Sequence, residues 1–348
     1  MNDFASVLGK TADEVFFNTL PVEHLGFDQE GWRSVSASGL HRILLPEALG
    51  GAGFTAFSEA STVALRFGAH SPNIPFIDGM VANWICAKAG IEFSDEPVRL
   101  VFGREIDGKA EGQTKYSWPG TMRILWPDNV RRLLIVDTDA LYLCENVPGG
   151  AAGRTLSGDP AAAIESPLEV HATRIPPELS RLAFELYALL TTAAIVGSFE
   201  TLLSMTIEYA NVRAQFGRAI GKFQAIQHMI AEMSSETAAA AASLHNATHS
   251  FGTARGSWDV AIAKSFASEA VSYIVSRAHQ VHGAIGYTAE FPLQRFTRRL
   301  WAWREEAGTR AYWHQMIGAA VLASEDQVWS MITEGAQLSE TGLDLGFK

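Results

Sequence analysis

From residue 179 to residue 212 the chain contains no proline and one glycine, Gly197, and most of its side chains are apolar. A proline would remove a backbone donor and glycines would cost conformational entropy, so this run predicts one long continuous helix. It opens after "RIPPELS", where two prolines precede a helix start. Helical apolar spacing recurs at about 223–250, 258–281, 291–306 and 308–323, joined by short polar links. Long apolar helices joined this way predict an antiparallel bundle, because each must bury its apolar stripe against a neighbour. The bundle is expected over 176–335, with a tail at 336–348.

Two other textures precede it. Up to about residue 100, "TADEVFFNTL", "GFTAFSEASTVALRFGAH" and "IPFIDGMVANWICAKAG" have helical spacing between Gly, Pro and Asn punctuation, which predicts an N-terminal α-helical domain over 1–100. From 101 to 175 short β-rich runs such as "RRLLIVDT" and "ALYLCENV" alternate with turn sequences such as "DGKAEG" and "PGGAAG". A small β domain is expected there. The fold class is therefore mainly α, with a small β domain between two helical regions.

Composition narrows the function. The formal net charge is −11, and no concentrated basic face is present, which excludes a nucleic-acid polyanion as partner. Cys86 and Cys144 stand far apart with no ligand cluster beside them, so neither a zinc site nor a disulfide framework is expected, and a reducing cytoplasm fits. "MNDFASVLGK" lacks a basic segment followed by an apolar run, and no stretch is read as a membrane span, so no targeting or anchoring is expected.

Within the helical region "VRAQFGRAIGKFQAIQHMIAEM" (212–233) is basic, glutamine-rich and aromatic. Arg213 offers a planar, charged fork of hydrogen-bond donors. Phe216 and Phe223 offer apolar or stacking surface, the amides of Gln215, Gln224 and Gln280 offer donors and acceptors, with Gln227 a further glutamine of the segment, and Gly283 permits close backbone approach. Each has an ordinary role open to it. Arg213 could be a solvated cation at a helix C-terminus, the phenylalanines core residues, the glutamines solvated polarity, and Gly283 a helix cap. His282 is read as a packing or hydrogen-bonding residue.

Three segments in order resemble the acyl-CoA dehydrogenase family: "ILLPEALGGAGFT" (43–55), "YANVRAQFGRAIGKFQAIQHMIAEM" (209–233) and "QVHGAIGYTAEFPLQRFTRR" (280–299). The resemblance implies an N-terminal helical domain, a middle β domain and a C-terminal four-helix bundle. It also implies FAD bound across a subunit interface, with Arg213, Gln215, Phe216, Phe223, Gln224, Gln280, Gly283 and Ala284 on the pyrophosphate and adenosine side.

The departures from the family pattern bear on catalysis. Where the family places its base in an "E-G-T" motif, this chain has "AGT", so Ala307 stands at the glutamate's place; the alternative base position is Tyr187. Glu305 and Glu306 adjoin Ala307 and, if helical, would point about 100° to 200° away around the axis. The arginine that often holds coenzyme A aligns with Ala188, and the second glycine of the "Q-x-x-G-G" segment is Ala284. Neither a "T-E-x-x-x-G-S-D" loop nor a "W-I-T/S" strand occurs between Leu100 and Pro176, so the flavin-ring wall of the β domain looks reduced.

On this resemblance the chain has no catalytic residue of its own. It is expected to be the smaller subunit of a heteromeric α2β2 acyl-CoA dehydrogenase of the kind used in bacterial steroid side-chain degradation. Such a subunit lends half of an FAD site to a larger partner that holds the base and the acyl-CoA, and an electron-transfer flavoprotein reoxidises the cofactor. Two other readings stay open: a self-sufficient homo-oligomer with a relocated base, Glu306 or Glu185, and a flavin-free scaffold.

Overall fold

The chain starts as four helices, α1 (Asp3–Phe16), α2 (Gln29–Ser38), α3 (Phe57–His70) and α4 (Phe76–Lys88), in a computed structural model that describes residues 3–17, 25–112, 114–155, 157–323, 329 and 331. The expected tail at 336–348 and most of 324–335 lie outside the described residues. Asp28 caps α2, its carboxylate accepting from the Gly31 N–H at 2.8 Å. Phe16, Phe67 and Phe76 pack ring to ring at 4.8–5.6 Å and join α1, α3 and α4. Helix α4 is buried from Phe76 to Cys86, so its acidic residue must be satisfied. Asp78 accepts from Arg99 Nη1 at 3.0 Å and from the Leu100 N–H at 2.9 Å, fixing the helix to the first strand.

Ten short strands follow: β1 (Val98–Phe102), β2 (Lys109–Glu111), β3 (Lys115–Ser117), β4 (Thr121–Leu125), β5 (Arg132–Val136), β6 (Ala140–Cys144), β7 (Ala151–Arg154), β8 (Pro160–Glu165), β9 (Leu168–Glu169) and β10 (His171–Arg174). They form sheets in the orders β1-β5-β6-β10, β2-β3-β9 and β4-β8-β7. Among the described strand pairs β1-β5 alone is parallel, with Val98 opposite Arg132. The sheets close on Tyr116, Trp118, Trp126, Leu133 and Ile135, all buried. Cys86 and Cys144 are both buried and free.

Helix α5 runs unbroken from Pro177 to Val212. A hairpin of β11 (Ala214–Gln215) and β12 (Arg218–Ala219) leads to α6 (Gln224–Ser250), α7 (Gly256–His282), α8 (Leu293–Trp303) and α9 (Arg310–Ala323). Helix α7 packs against α6, α8 and α9 and is the most buried of them. The chain divides into two compact units, Met1–Tyr187 and Ala188–Lys348, and α5 contributes to both.

Helix α5 is long and apolar enough to cross a membrane, with an 18-residue window of mean hydropathy 1.6. That window is 94% buried inside the protein, so its apolar surface is already covered, as in a core helix.

Candidate functional site

The basic, aromatic segment folds into the hairpin that follows α5. Arg213 closes its base: its N–H donates to the Tyr209 carbonyl and its carbonyl accepts from the Ile220 N–H, both at 2.8 Å. The pairs Ala214–Ala219 and Gln215–Arg218 leave Phe216 and Gly217 as a two-residue loop, with φ of 52° and 80°. Positive φ at both positions is the type I′ turn that suits the right-handed strand twist, and its first position favours Asn or Asp. A phenylalanine held there is strained by about 1–3 kcal/mol, and its ring is 91% exposed. The strain is therefore not offset by burial of the ring.

Around this tip the ring of Phe223 meets Phe216 edge-on at 6.1 Å, and the Arg218 guanidinium lies over Phe223 at 4.2 Å. The Arg213 side chain is exposed and makes no ion pair among the described residues. Gln215 and Gln224 are exposed, the second as the first residue of α6. Gln227 differs from them, since its amide donates to the Gly221 carbonyl at 3.0 Å and holds the loop together.

The second predicted group sits where α7 ends. Gln280 is exposed in the last turn, and the Gly283 N–H donates to the His279 carbonyl. Gly283 has φ 63° and ψ −142°, a conformation near one that is essentially restricted to glycine, and no atom lies within 4 Å of a Cβ built on it. Its backbone thus faces open space. Ala284 is exposed in the 3₁₀ turn Gly283–Tyr287, which tolerates a side chain.

The two groups lie at one end of the helices. Tyr209, one turn before Arg213, stacks on His282 at 4.5 Å and 25°, and Phe291 packs against both rings. His282 Nδ1 is 2.8 Å from the Ala278 carbonyl, which assigns the proton to Nδ1, and burial lowers the pKa of the imidazole. A cavity of about 330 Å³ opens beside this stack, lined by Met205, Glu208, Tyr209, Val212, Phe291 and Pro292. Sequence reasoning missed Arg218 and the pair His279–Tyr287, whose rings stack at 4.4 Å with Tyr287 exposed. "G-Y" at 286–287 belongs to the third family-like segment, but nothing in the sequence marks the stacking.

The two positions that the resemblance reads as base positions are closed. Ala307 is 1% exposed with φ 55°, and its carbonyl accepts from the indole Nε1 of the fully buried Trp313 at 3.0 Å. A Cβ on Gly308 (φ 86°) would fall 2.7 Å from that same Nε1. The expectation that Glu305 and Glu306 lie on a helix is corrected: α8 stops at Trp303, and both N–H groups donate to the Ala302 carbonyl in the turn beyond it. The stop has a physical cause in Lys264, a buried residue of α7 whose ammonium donates to the carbonyls of Trp303 and Arg304 at 3.2 Å each. The Glu305 carboxylate accepts from Arg304 Nε at 2.7 Å.

Tyr187, at the alternative base position, is 2% exposed and tilts against Phe102 at 5.7 Å; Phe102 in turn meets Phe184 edge-on at 4.9 Å. Glu185 is buried and paired with Arg181 at 2.7 Å. Ala188, where the coenzyme A arginine would stand, is fully buried.

Comparison with known proteins agrees with this architecture. Residues 179–322 match the acyl-CoA dehydrogenase C-terminal domain. The acyl-CoA dehydrogenase IpdE2 of Mycolicibacterium smegmatis is 28% identical over 314 residues, which cover 85% of this chain and 89% of that protein. Two solved structures share the fold at TM-score 0.77 and 22% identity: the Tcur3481-Tcur3483 steroid ACAD G363A variant, over 90% of this chain and 96% of that one, and the ChsE4-ChsE5 complex from Mycobacterium tuberculosis, over 94% and 99%. Residues 179–322 thus form an acyl-CoA dehydrogenase C-terminal domain, and the chain shares the fold of these structures along almost its whole length.

Proposed function

We propose that this chain is the base-less subunit of a heteromeric acyl-CoA dehydrogenase, and that it supplies the adenosine and pyrophosphate side of an FAD site whose ring side belongs to a larger partner subunit. One observation carries the reading. The phosphate-side groups, Arg213 and the open backbone at Gly283, are presented to the outside, while Ala307 and Tyr187 fill the two base positions with packed, non-acidic side chains. An exposed guanidinium and an uncovered glycine backbone fit a dinucleotide pyrophosphate, which needs a planar donor and close main-chain approach.

FAD, when bound, supplies hydride acceptance in the α,β-dehydrogenation of an acyl-CoA thioester. This chain's residues bind and orient. Arg213 pairs with phosphate charge, Phe216 and Phe223 give apolar surface at the cofactor's edge, and Gln215, Gln224, Gln280 and the backbone of Gly283 and Ala284 fix the adenosine half. That fixation keeps the reacting geometry in the partner. Removal of the substrate α-proton belongs to the partner's base, because no described carboxylate of this chain stands at a base position.

An α2β2 assembly, a steroid side-chain CoA ester as substrate and an electron-transfer flavoprotein as acceptor complete the proposal. The fold shared with the steroid ACAD and the ChsE4-ChsE5 complex supports the heteromeric assembly and the substrate class. The two free, buried cysteines accord with a reducing cytoplasm.

The test is Glu306→Gln in the assembled complex. Turnover is expected to stay within a few-fold of the parent, whereas loss of a true general base costs about 10²–10⁴ in rate. A loss of that size with FAD content and assembly intact would place the base in this chain.

A further inference from the structure

Away from the cofactor end, at the far end of α6, His245 and His249 lie one turn apart with their rings stacked, centroids 5.5 Å apart and planes at 29°. Both side chains are exposed, and with Asn246, Ser250, Arg255 and Asp259 they line a cavity of about 360 Å³. We propose that His245 and His249 form a bidentate site for a divalent transition metal of the imidazole-preferring class, such as Zn²⁺, that clips the last turns of α6.

The argument is geometric first. Residues at i and i+4 face the same side of a helix, and two histidines at that spacing are the helical metal chelate. A metal ion with bonds of about 2.0–2.1 Å to each imidazole nitrogen needs those nitrogens roughly 3 Å apart. Rings already stacked 5.5 Å apart reach this by side-chain rotation, with the helix unchanged. Neither histidine has a hydrogen bond or an ion pair among the described residues, so binding gives up only their mutual ring contact.

Charge around the cavity also permits a cation. The positive group beside it, Arg255, points its Nε at both carboxylate oxygens of Asp259, at 3.0 and 2.9 Å, and is neutralised. The protein carries a net −11, which concentrates cations at its surface. Two imidazole ligands select Cu²⁺, Zn²⁺, Ni²⁺ or Co²⁺ over Mg²⁺ and Ca²⁺, which require oxygen donors. Because no described group completes a third protein ligand, water fills the remaining positions and the ion is exchangeable.

Calorimetric titration of the full chain in its purified complex with Zn²⁺ alone tests this. One equivalent per chain is expected at this site, lost or weakened at least about tenfold in His245→Ala and in His249→Ala, since even an outer-shell partner of a metal ligand is worth about 10–100-fold. Both positions are exposed, so the variants fold. As a second readout, Zn²⁺ should raise the melting temperature of the parent and not of the double variant, and Mg²⁺ should do neither. Zn²⁺ affinity unchanged in the double variant, or no saturable binding in the parent, would overturn the proposal.

Discussion

Phe102→Ala is expected to destabilise the chain by about 3–5 kcal/mol, the usual cost of truncating a fully buried phenylalanine. Phe102 is 0% exposed and supports both Phe184 and Tyr187, and Phe184 also carries the Arg104 guanidinium over its face at 4.6 Å. Its removal leaves a void that neighbours on a sheet and a long helix cannot close. Thermal or urea unfolding reads the loss directly, and a fall in melting temperature of roughly 5–10 °C corresponds to it. The functional meaning lies in what Phe102 fills. If the space beside Tyr187 were a working pocket for an acyl chain or a flavin ring, truncation would enlarge it at little cost; a change under about 1 kcal/mol would show that the position is open and that this chain retains a ring-side site.

Arg213→Ala acts on the other half of the account. If the guanidinium meets the FAD pyrophosphate, the substitution removes a charge-assisted hydrogen bond and leaves phosphate charge uncompensated, a loss of about 1.5–3 kcal/mol. The complex should then hold FAD about ten- to hundred-fold more weakly. Arg213→Lys should recover part of the loss, because an ammonium keeps the charge but lacks the planar fork. Activity should fall in step with flavin occupancy and return when FAD is added in excess. Because the side chain is exposed and makes no ion pair among the described residues, folding should be little affected. Full flavin retention with only a shifted melting temperature would reduce Arg213 to a cation at the C-terminus of α5.

The helices were legible in the sequence because the signals that set them are local. Absence of proline gave α5 its full length, and the expected 223–250 and 258–281 became Gln224–Ser250 and Gly256–His282. The helix expected at 291–306 ends three residues early for a reason sequence cannot show. Lys264, remote along the chain, takes the carbonyls that would have continued it, and Ala307 adopts a left-handed turn under Trp313. The hairpin was hidden for a different reason. Gly217 announces a positive φ, but the residue before it in an I′ turn is normally Asn or Asp, and Phe216 contradicts that preference. Arg218, His279 and Tyr287 escaped notice because their roles depend on ring contacts that only the folded chain creates. The alanine at 307, where the resemblance places an acid, was readable from the aligned motif; that Tyr187 packs against Phe102 was not, since the two are distant in sequence.

Flavin content tests the central claim most directly. The chain is produced alone and together with a candidate larger subunit, and visible absorbance is set against protein concentration. A divided site predicts that the chain alone is colourless, or poorly soluble, and that the pair co-purifies with one FAD per heterodimer. A yellow, catalytically active homo-oligomer made of this chain alone would contradict it.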